Sequence, residues 1–337
     1  MAGAKPKVAF YWCASCGGCE EAVVDLAEKV IDVTAAVDIV FWPVALDFKR
    51  KDVEALPDGA IAATFLNGAV RTTEHEEMAH LLRRKSQVLI AFGACAAHGG
   101  VPGLANLWDR ESILHEVYRD SLSTDNPAGV LPQRRHRSAG NEVELPGFYD
   151  TVRSLEQVVE VDYTIPGCPP TPELLADAVT ALLNGALPPR GAVLAPDIAL
   201  CDSCNRKYSK PDQLSIPAFK RPHEVIIDEE LCLLAQGLVC MGPATRSGCG
   251  TRCITGNMPC TGCFGPTSRV RDGGAKAFSG LVSLLAARDD EDVAKAIDSI
   301  PDPVGTFYRY TLPASRLRRK RLDTVSRTPR SHARVDG

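Results

Sequence analysis

Thirteen cysteines fall into three groups along 337 residues, and their placement constrains the fold more than any other feature. Cys13, Cys16 and Cys19 close the first apolar run. Cys95 and Cys168 each follow a later one. The remaining eight (Cys201, Cys204, Cys232, Cys240, Cys249, Cys253, Cys260 and Cys263) share one stretch rich in Gly and Pro, with little periodic pattern. That stretch is expected to lack an apolar core, so bound metal would have to substitute for one, as it does in small domains. Thiolates pooled by fours are what iron–sulfur clusters use. Twelve would hold three four-iron clusters, leaving one over, which points to electron conduction rather than to a reaction centre.

Composition fits a soluble globular chain, with 45% hydrophobic and 24% charged residues. The net charge of −4 gives no indication of nucleic acid. The N-terminal MAGAKPKVAFYW has no apolar export region and no twin arginine. No run approaches the roughly 20 apolar residues of a membrane span. A cytoplasmic location is therefore expected. Thiols stay reduced there, which favours metal ligation over disulfides.

Residues 1–185 read as alternating strands and helices. Strands are predicted at Lys7–Trp12, Val37–Val44, Ala60–Leu66, Val88–Phe92 and Val158–Ile165. Cys19–Val30 has helical spacing that places Val23, Val24, Leu26, Ala27 and Val30 on one face. Thr73 with Glu76 suggests a capping box for a helix ending near Lys85. Thr171, Pro172 and Gly185 frame a helix over Glu173–Asn184. The alternation predicts an α/β fold, a flavodoxin-like doubly wound parallel sheet. Ligands of such sheets bind beyond the carboxyl ends of the strands. Cys16, Cys19, Cys95 and Cys168 all follow predicted strand ends and should converge on one edge.

Residues 101–150 interrupt the alternation, either as an ordered excursion that could face a partner or as a flexible surface loop. Residues 186–200 form a Pro-rich linker, and 201–312 a smaller, irregular cluster-binding domain. Helices are expected at Phe278–Arg288 and Glu291–Ile300. The tail, 313–337, is basic (Arg316, Arg318, Arg319, Lys320, Arg321) and expected to fray.

Cys16-Gly17-Gly18-Cys19 is a tight C-x2-C whose glycines let backbone amides approach a cluster. A zinc knuckle or redox dithiol has the same spacing. A self-contained ferredoxin loop would need cysteine at position 23, which is Val23. Downstream, Cys201/Cys204 and Cys260/Cys263 are two further C-x2-C pairs enclosing four more cysteines. All-sulfur sets suit zinc as well as iron–sulfur clusters. No phosphate-binding lysine loop, dinucleotide fingerprint or nucleophile elbow occurs. His98 either hydrogen-bonds near a cluster or partner or is a satisfied structural histidine. Glu20 and Glu21 either lie near a proton route or stabilise a helix dipole.

These residues resemble the small subunit of [NiFe] hydrogenases. The resemblance rests on C-x2-C, then Gly93-Ala94-Cys95-Ala96-Ala97-His98-Gly99-Gly100, then Gly167-Cys168-Pro169-Pro170. Gly100–Asn106 and Met241-Gly242-Pro243-Ala244-Thr245 after Cys240 add to it, and it covers roughly Lys7 to Gly265. Within the family, the chain is most similar to the cytoplasmic methyl-viologen-reducing branch, which is linked to heterodisulfide reductase and does not reduce deazaflavin. The resemblance implies a subunit of an oxidoreductase with no catalytic residue of its own, carrying electrons through three [4Fe-4S] clusters. It implies Cys16, Cys19, Cys95 and Cys168 for a proximal cluster, next to a [NiFe] centre on a separate large subunit. It implies Cys201, Cys204, Cys232 and Cys240 for a distal cluster, and Cys249, Cys253, Cys260 and Cys263 for a medial one.

This chain has Cys201 where periplasmic members often have histidine. It has Cys253 where they often have proline, so a four-iron medial cluster of lower potential than the three-iron form is expected. Cys13 is the spare. A further electron-accepting subunit or protein near the distal cluster is implied. The alternatives are a small subunit of a non-hydrogenase oxidoreductase, as in the quinone-reducing respiratory complex, and a zinc-stabilised interaction protein.

Overall fold

The computed structural model describes residues 5–286, 289–300 and 302–318. Nine strands are described: β1 (Lys7–Trp12), β2 (Asp38–Phe41), β3 (Ile61–Asn67), β4 (Val70–Thr72), β5 (Ser86–Phe92), β6 (Arg135–Ser138), β7 (Asn141–Glu144), β8 (Phe148–Arg153) and β9 (Tyr163–Ile165). Five form an all-parallel sheet in the order β2-β1-β3-β5-β9. Strand order reverses at β1, the arrangement of a flavodoxin-like sheet, as the alternation predicts.

The pleat sends alternate residues to opposite faces. Val8, Phe10, Phe65, Ile90, Phe92 and Ile165 join one apolar layer, and Ala9, Leu66, Leu89 and Ala91 join the other. Helices cover both. The first layer takes Val23 of α1 (Gly18–Val24) and Leu175, Ala178 and Val179 of α7 (Pro172–Leu183). The second takes Val53 of α3 (Arg50–Glu54) and Met78, Leu81 and Leu82 of α4 (Thr73–Lys85). A sheet buried on both faces explains why its strands read as continuous apolar runs.

Several local expectations need correction. The helix expected over Cys19–Val30 breaks after Val24, turns at Ala27 (φ 53°) and resumes as α2 (Lys29–Ala36). Val24 is therefore exposed rather than on the buried face. The strand expected to reach Val44 stops at Phe41, where the chain turns at Trp42, which accepts the Ala45 amide at 3.0 Å. Of Val158–Ile165 only Tyr163–Ile165 is strand.

The cap of α4 is Thr72, whose hydroxyl accepts the His75 amide at 3.2 Å. Thr73 and Glu76 are drawn to the excursion instead. Thr73 exchanges hydrogen bonds with Gly147, and Glu76 accepts from Arg153 and Tyr149. That excursion is ordered. It contains α5 (Ala94–His98) at its root, a 3-10 segment at Val101–Leu107, α6 (Arg110–His115) and the exposed hairpin β6–β7. It returns as β8, antiparallel to β4.

The C-terminal part does have an apolar core. Leu200, Ile216, Phe219, Leu233, Leu234, Leu238, Ile254, Leu281 and Phe307 pack together with Cys240 and Cys260 among them. Sequence reading missed it because these residues sit on short turns without period. Its helices are α8 (Arg252–Thr255), α9 (Gly273–Val282), α10 (Asp290–Asp298) and α11 (Pro303–Phe307). Caps Asp272 and Asp289 set the starts of α9 and α10.

The first tail residues are docked rather than frayed. Pro313 seats on Gly99 and Gly103, and its carbonyl accepts from Gln157 at 2.8 Å. Tyr310 accepts the Gly100 amide at 3.1 Å, and Asn106 donates to the Arg318 carbonyl at 3.0 Å. Arg319, Lys320 and Arg321 lie outside the described residues.

Candidate metal centre

The carboxyl edge of the sheet gathers the first four cysteines. Beyond β1, the Cys13 amide donates to Asn67 at 2.8 Å, and Ala14 and Ala69 exchange a pair of 2.9 Å bonds. This fixes the loop that delivers Cys16 to the surface and hands Cys19 to α1, where it is buried. Beyond β5, Gly93 donates to Ile165 at 2.8 Å and Ala94 to Gly167 at 2.6 Å. Those bonds lash the ends of β5 and β9 together and place Cys95 beside Cys168.

Gly93 has φ 86° and ψ 166°, a region essentially restricted to glycine, and a Cβ there would overlap the Cys19 sulfur. Burial pushes the Cys19 thiol up, and Cys95, Cys168 and Cys16 push it further. Burial, with Cys168 and Cys16, pushes Cys95 to about 12 although the nearby Val101 amide and Ser15 hydroxyl pull it down. Thiols that penalise one another's ionisation would be held as thiolates by a bound cationic centre, their protons leaving to solvent.

Cys201, Cys204, Cys232 and Cys240 line a second space, with Arg206, Lys210 and Gly242. Burial and then Cys240 push Cys201 to about 12, against the pull of Lys210. Cys249, Cys253, Cys260 and Cys263 line a third, a cavity of about 180 Å³ whose wall also includes Cys168, Pro169 and Pro170.

The three groups touch in series. Cys168 and Cys263 share a wall of the third cavity, and burial pushes the Cys263 thiol to about 12 against the nearby Cys168 amide. The amides of Gly242 and Cys260 sit beside the Cys240 sulfur and pull its thiol down against burial, and Met241 donates to the Cys260 carbonyl at 2.8 Å. The group of Cys249, Cys253, Cys260 and Cys263 therefore lies between the other two. Among the described residues, no three His, Cys, Asp or Glu close on a single-ion point.

Cys13 stands apart. It is buried in the sheet's second apolar layer, and burial, then Glu74, raises its thiol. His98, the last residue of α5, packs against Gly265, and burial, with Arg246 nearby, lowers it to about 4, so it is neutral at pH 7. Glu21 is an exposed helix-start acid. Glu20 is buried, accepting from Trp42 and from Asn67 at 2.6 Å. Burial raises its carboxyl even so. Sequence reading missed two buried cations. Arg246 ties Ala195, Pro196, Asp197 and Pro266 to the C-terminal core, and Arg206 faces the second thiol group. Neither carries a spacing signal.

Residues 16–182 match the family model described as NADH ubiquinone oxidoreductase, 20 Kd subunit. The chain is 42% identical to an F420-non-reducing hydrogenase iron-sulfur subunit of Archaeoglobus profundus, over 93% of this chain and 98% of that protein. It is 38% identical to an F420-non-reducing hydrogenase subunit of Methanothermobacter thermautotrophicus, over 92% of this chain and 96% of that protein. The fold also matches a chain of the [NiFeSe] hydrogenase from Desulfovibrio vulgaris Hildenborough. The TM-score is 0.51 at 17% identity, covering 79% of this chain and 95% of that one.

An α/β sheet with cysteines at its carboxyl edge and a cysteine-rich C-terminal part defines an electron-transfer subunit of an oxidoreductase. The chain belongs to the [NiFe] hydrogenase small-subunit family, in the branch of the F420-non-reducing hydrogenases. The family carries iron–sulfur clusters, and the hydrogen-activating [NiFe] site lies on a partner large subunit. Among the described residues, no helix is long and apolar enough to cross a membrane.

Proposed function

We propose that this chain conducts electrons through three [4Fe-4S] clusters between the large subunit's [NiFe] site and a cytoplasmic acceptor. Cys16, Cys19, Cys95 and Cys168 are the proximal ligands, on domain 1–185. Beyond the 186–200 linker, domain 201–312 holds the other two sets. Cys249, Cys253, Cys260 and Cys263 are the medial ligands, and Cys201, Cys204, Cys232 and Cys240 the distal ones. The basic tail, 313–337, closes the chain. The electron-accepting subunit or protein docks near the distal set.

The observation that carries this reading is the serial contact of the sulfur groups, Cys168 to Cys263 and Cys260 to Cys240. The residues also fit such groups chemically. Each set offers four sulfurs, backbone amides point at Cys95, Cys240 and Cys263, and the medial cavity is about 180 Å³. A lone tetrahedral zinc would draw its sulfurs to about 3.8 Å of one another, around a point rather than a cavity. Bound clusters supply one-electron redox chemistry. The chain's own residues fix the sulfurs, exclude water from Cys19, Cys95, Cys240 and Cys260, and hold the three sets in sequence.

The sheet-domain family model alone also fits a respiratory-complex subunit. The full-length relatives, aligned through the C-terminal cysteines, favour the hydrogenase reading.

The test is the iron, nickel and zinc content of the natively co-purified complex, prepared without oxygen. The expected result is about twelve iron atoms per copy of this chain, partner iron aside, and about one nickel. Iron without nickel transfers the conductor to another oxidoreductase. Zinc with little iron refutes conduction altogether.

A further inference from the structure

Arg206 is 5% exposed and lines the space enclosed by Cys201, Cys204, Cys232 and Cys240. A guanidinium has five N–H donors. The Nη atoms meet four neutral acceptors: the carbonyls of Asp228 at 3.0 Å, Leu231 at 3.3 Å and Ile254 at 3.0 Å, and Asn257 Oδ1 at 2.9 Å. The fifth donor, at Nε, is buried without a partner. Among the described residues, no carboxylate forms an ion pair with Arg206. Its own amide lies 3.4 Å from the Cys204 sulfur.

A buried cation held only by neutral carbonyls is costly unless an anion answers it. Arg252, the arginine lining the medial cavity, differs on both counts, being exposed and bound to Glu173 through 3.0 and 2.8 Å contacts. Four thiolates outweigh the positive charge of a four-iron core, so an occupied distal set is the anion that Arg206 lacks. Lys210 adds a second, exposed positive charge on the same wall.

We infer that Arg206 is the built-in counter-ion of the distal site, its Nε donor serving a sulfur there, and that it raises the distal potential above that of the same four sulfurs without it. The inference rests on the distal ligand assignment. The reduced cluster carries one more negative charge than the oxidised one, so a fixed cation favours reduction. Electrons leaving the interior then collect at the exit, and return toward the large subunit is disfavoured. Hydrogen bonds and charge near sulfurs are the levers by which proteins set such potentials.

The experiment is an EPR-monitored redox titration of the complex, with iron content, for the wild type, Arg206→Gln and Arg206→Lys. Arg206→Gln removes the charge, while Arg206→Lys keeps it without the fork of donors. The expected result is a distal reduced-to-oxidised ratio about tenfold lower at a given potential in Arg206→Gln, about 59 mV for one electron. Arg206→Lys should stay within about twofold of wild type. Loss of distal iron in Arg206→Gln with retention in Arg206→Lys also supports the role, because charge alone then holds the site. An unshifted Arg206→Gln, a Lys variant that shifts as far as Gln, or loss of iron in both variants overturns it. A wild-type complex without a distal four-iron signal overturns the ligand assignment itself, and the inference falls with it.

Discussion

Gly68 gives the sharpest test of how the sheet builds the proximal site. It follows β3 with φ 86°, and a Cβ there would stand 2.6 Å from the Cys13 carbonyl carbon and 2.9 Å from the Ala14 nitrogen. Ordinary carbon contacts are about 3.5–4.0 Å, so the overlap is roughly 1 Å and falls on backbone, which cannot rotate away. Relief requires the loop after β1 to separate from the β3–β4 turn. That breaks three bonds: Cys13 to Asn67, Ala14 to Ala69 and Ala69 to Ala14. At about 1 kcal/mol each, they put the cost of relief near 3 kcal/mol. The left-handed backbone adds about 1–2 kcal/mol for any residue with a Cβ.

Gly68→Ala is therefore expected to lose about 4–5 kcal/mol. Gly59→Ala is the control: φ is 71° and nothing lies within 4 Å, so only the 1–2 kcal/mol backbone cost applies. The assay is thermal unfolding and iron content of the complex for both variants. Gly68→Ala should melt roughly 6 °C below Gly59→Ala and lose the iron that the proposed ligands Cys16 and Cys19 would hold. Equal midpoints with full iron in both would refute the claim that this contact positions the C-x2-C loop.

Cys13→Ala should retain full iron while losing about 1 kcal/mol of stability, read by metal analysis and unfolding, because Cys13 packs in the sheet's second apolar layer and is outside the proposed ligand sets. Cys253→Ser leaves three medial thiolates, so iron should fall by about one atom per chain, with a three-iron EPR signature and a raised medial potential. Asp162 is 1% exposed and accepts from Arg83, Arg190 and the Leu89 amide. Burial pushes its carboxyl up, but those partners outweigh it and hold it below 3.8. A lowered folded value means the stabilisation is complete above about pH 4 and disappears as pH falls through that value. Asp162→Asn should cost about 2 kcal/mol at pH 7 in a chemical denaturation series and remove this part of the acid sensitivity.

The sheet and its cysteine edge were legible because a doubly buried strand is written as an apolar run, and Cys16, Cys95 and Cys168 each follow one. The α7 helix was legible for the same local reason: Thr171 caps the Leu174 amide and Pro172 opens the first turn. What failed depended on partners distant in sequence. Thr73 and Glu76 form a valid capping-box pattern, yet Gly147, Tyr149 and Arg153 compete for the same atoms and win. The break at Ala27 lies inside a helical apolar pattern that carries no Gly or Pro warning. The C-terminal core was invisible because Leu233, Leu238, Ile254 and Phe307 reach one another from separate turns and short helices. Arg206 could not be singled out, since burial of a cation is a tertiary fact.

Pro313 on Gly99 and Gly103, with Tyr310 bonded to Gly100, also bears on how the protein is made. The Gly99–Gly103 segment that follows Cys95 and α5 is covered by residues more than 200 positions later. At about 5–20 residues per second, a ribosome needs roughly 10–40 s to reach Pro313 after Cys95. The sheet can form during that interval, but its cysteine edge stays uncapped until Tyr310 and Pro313 return to close it. Covering of Gly99, Gly100 and Gly103 is therefore a late event, possible only after synthesis has passed Pro313.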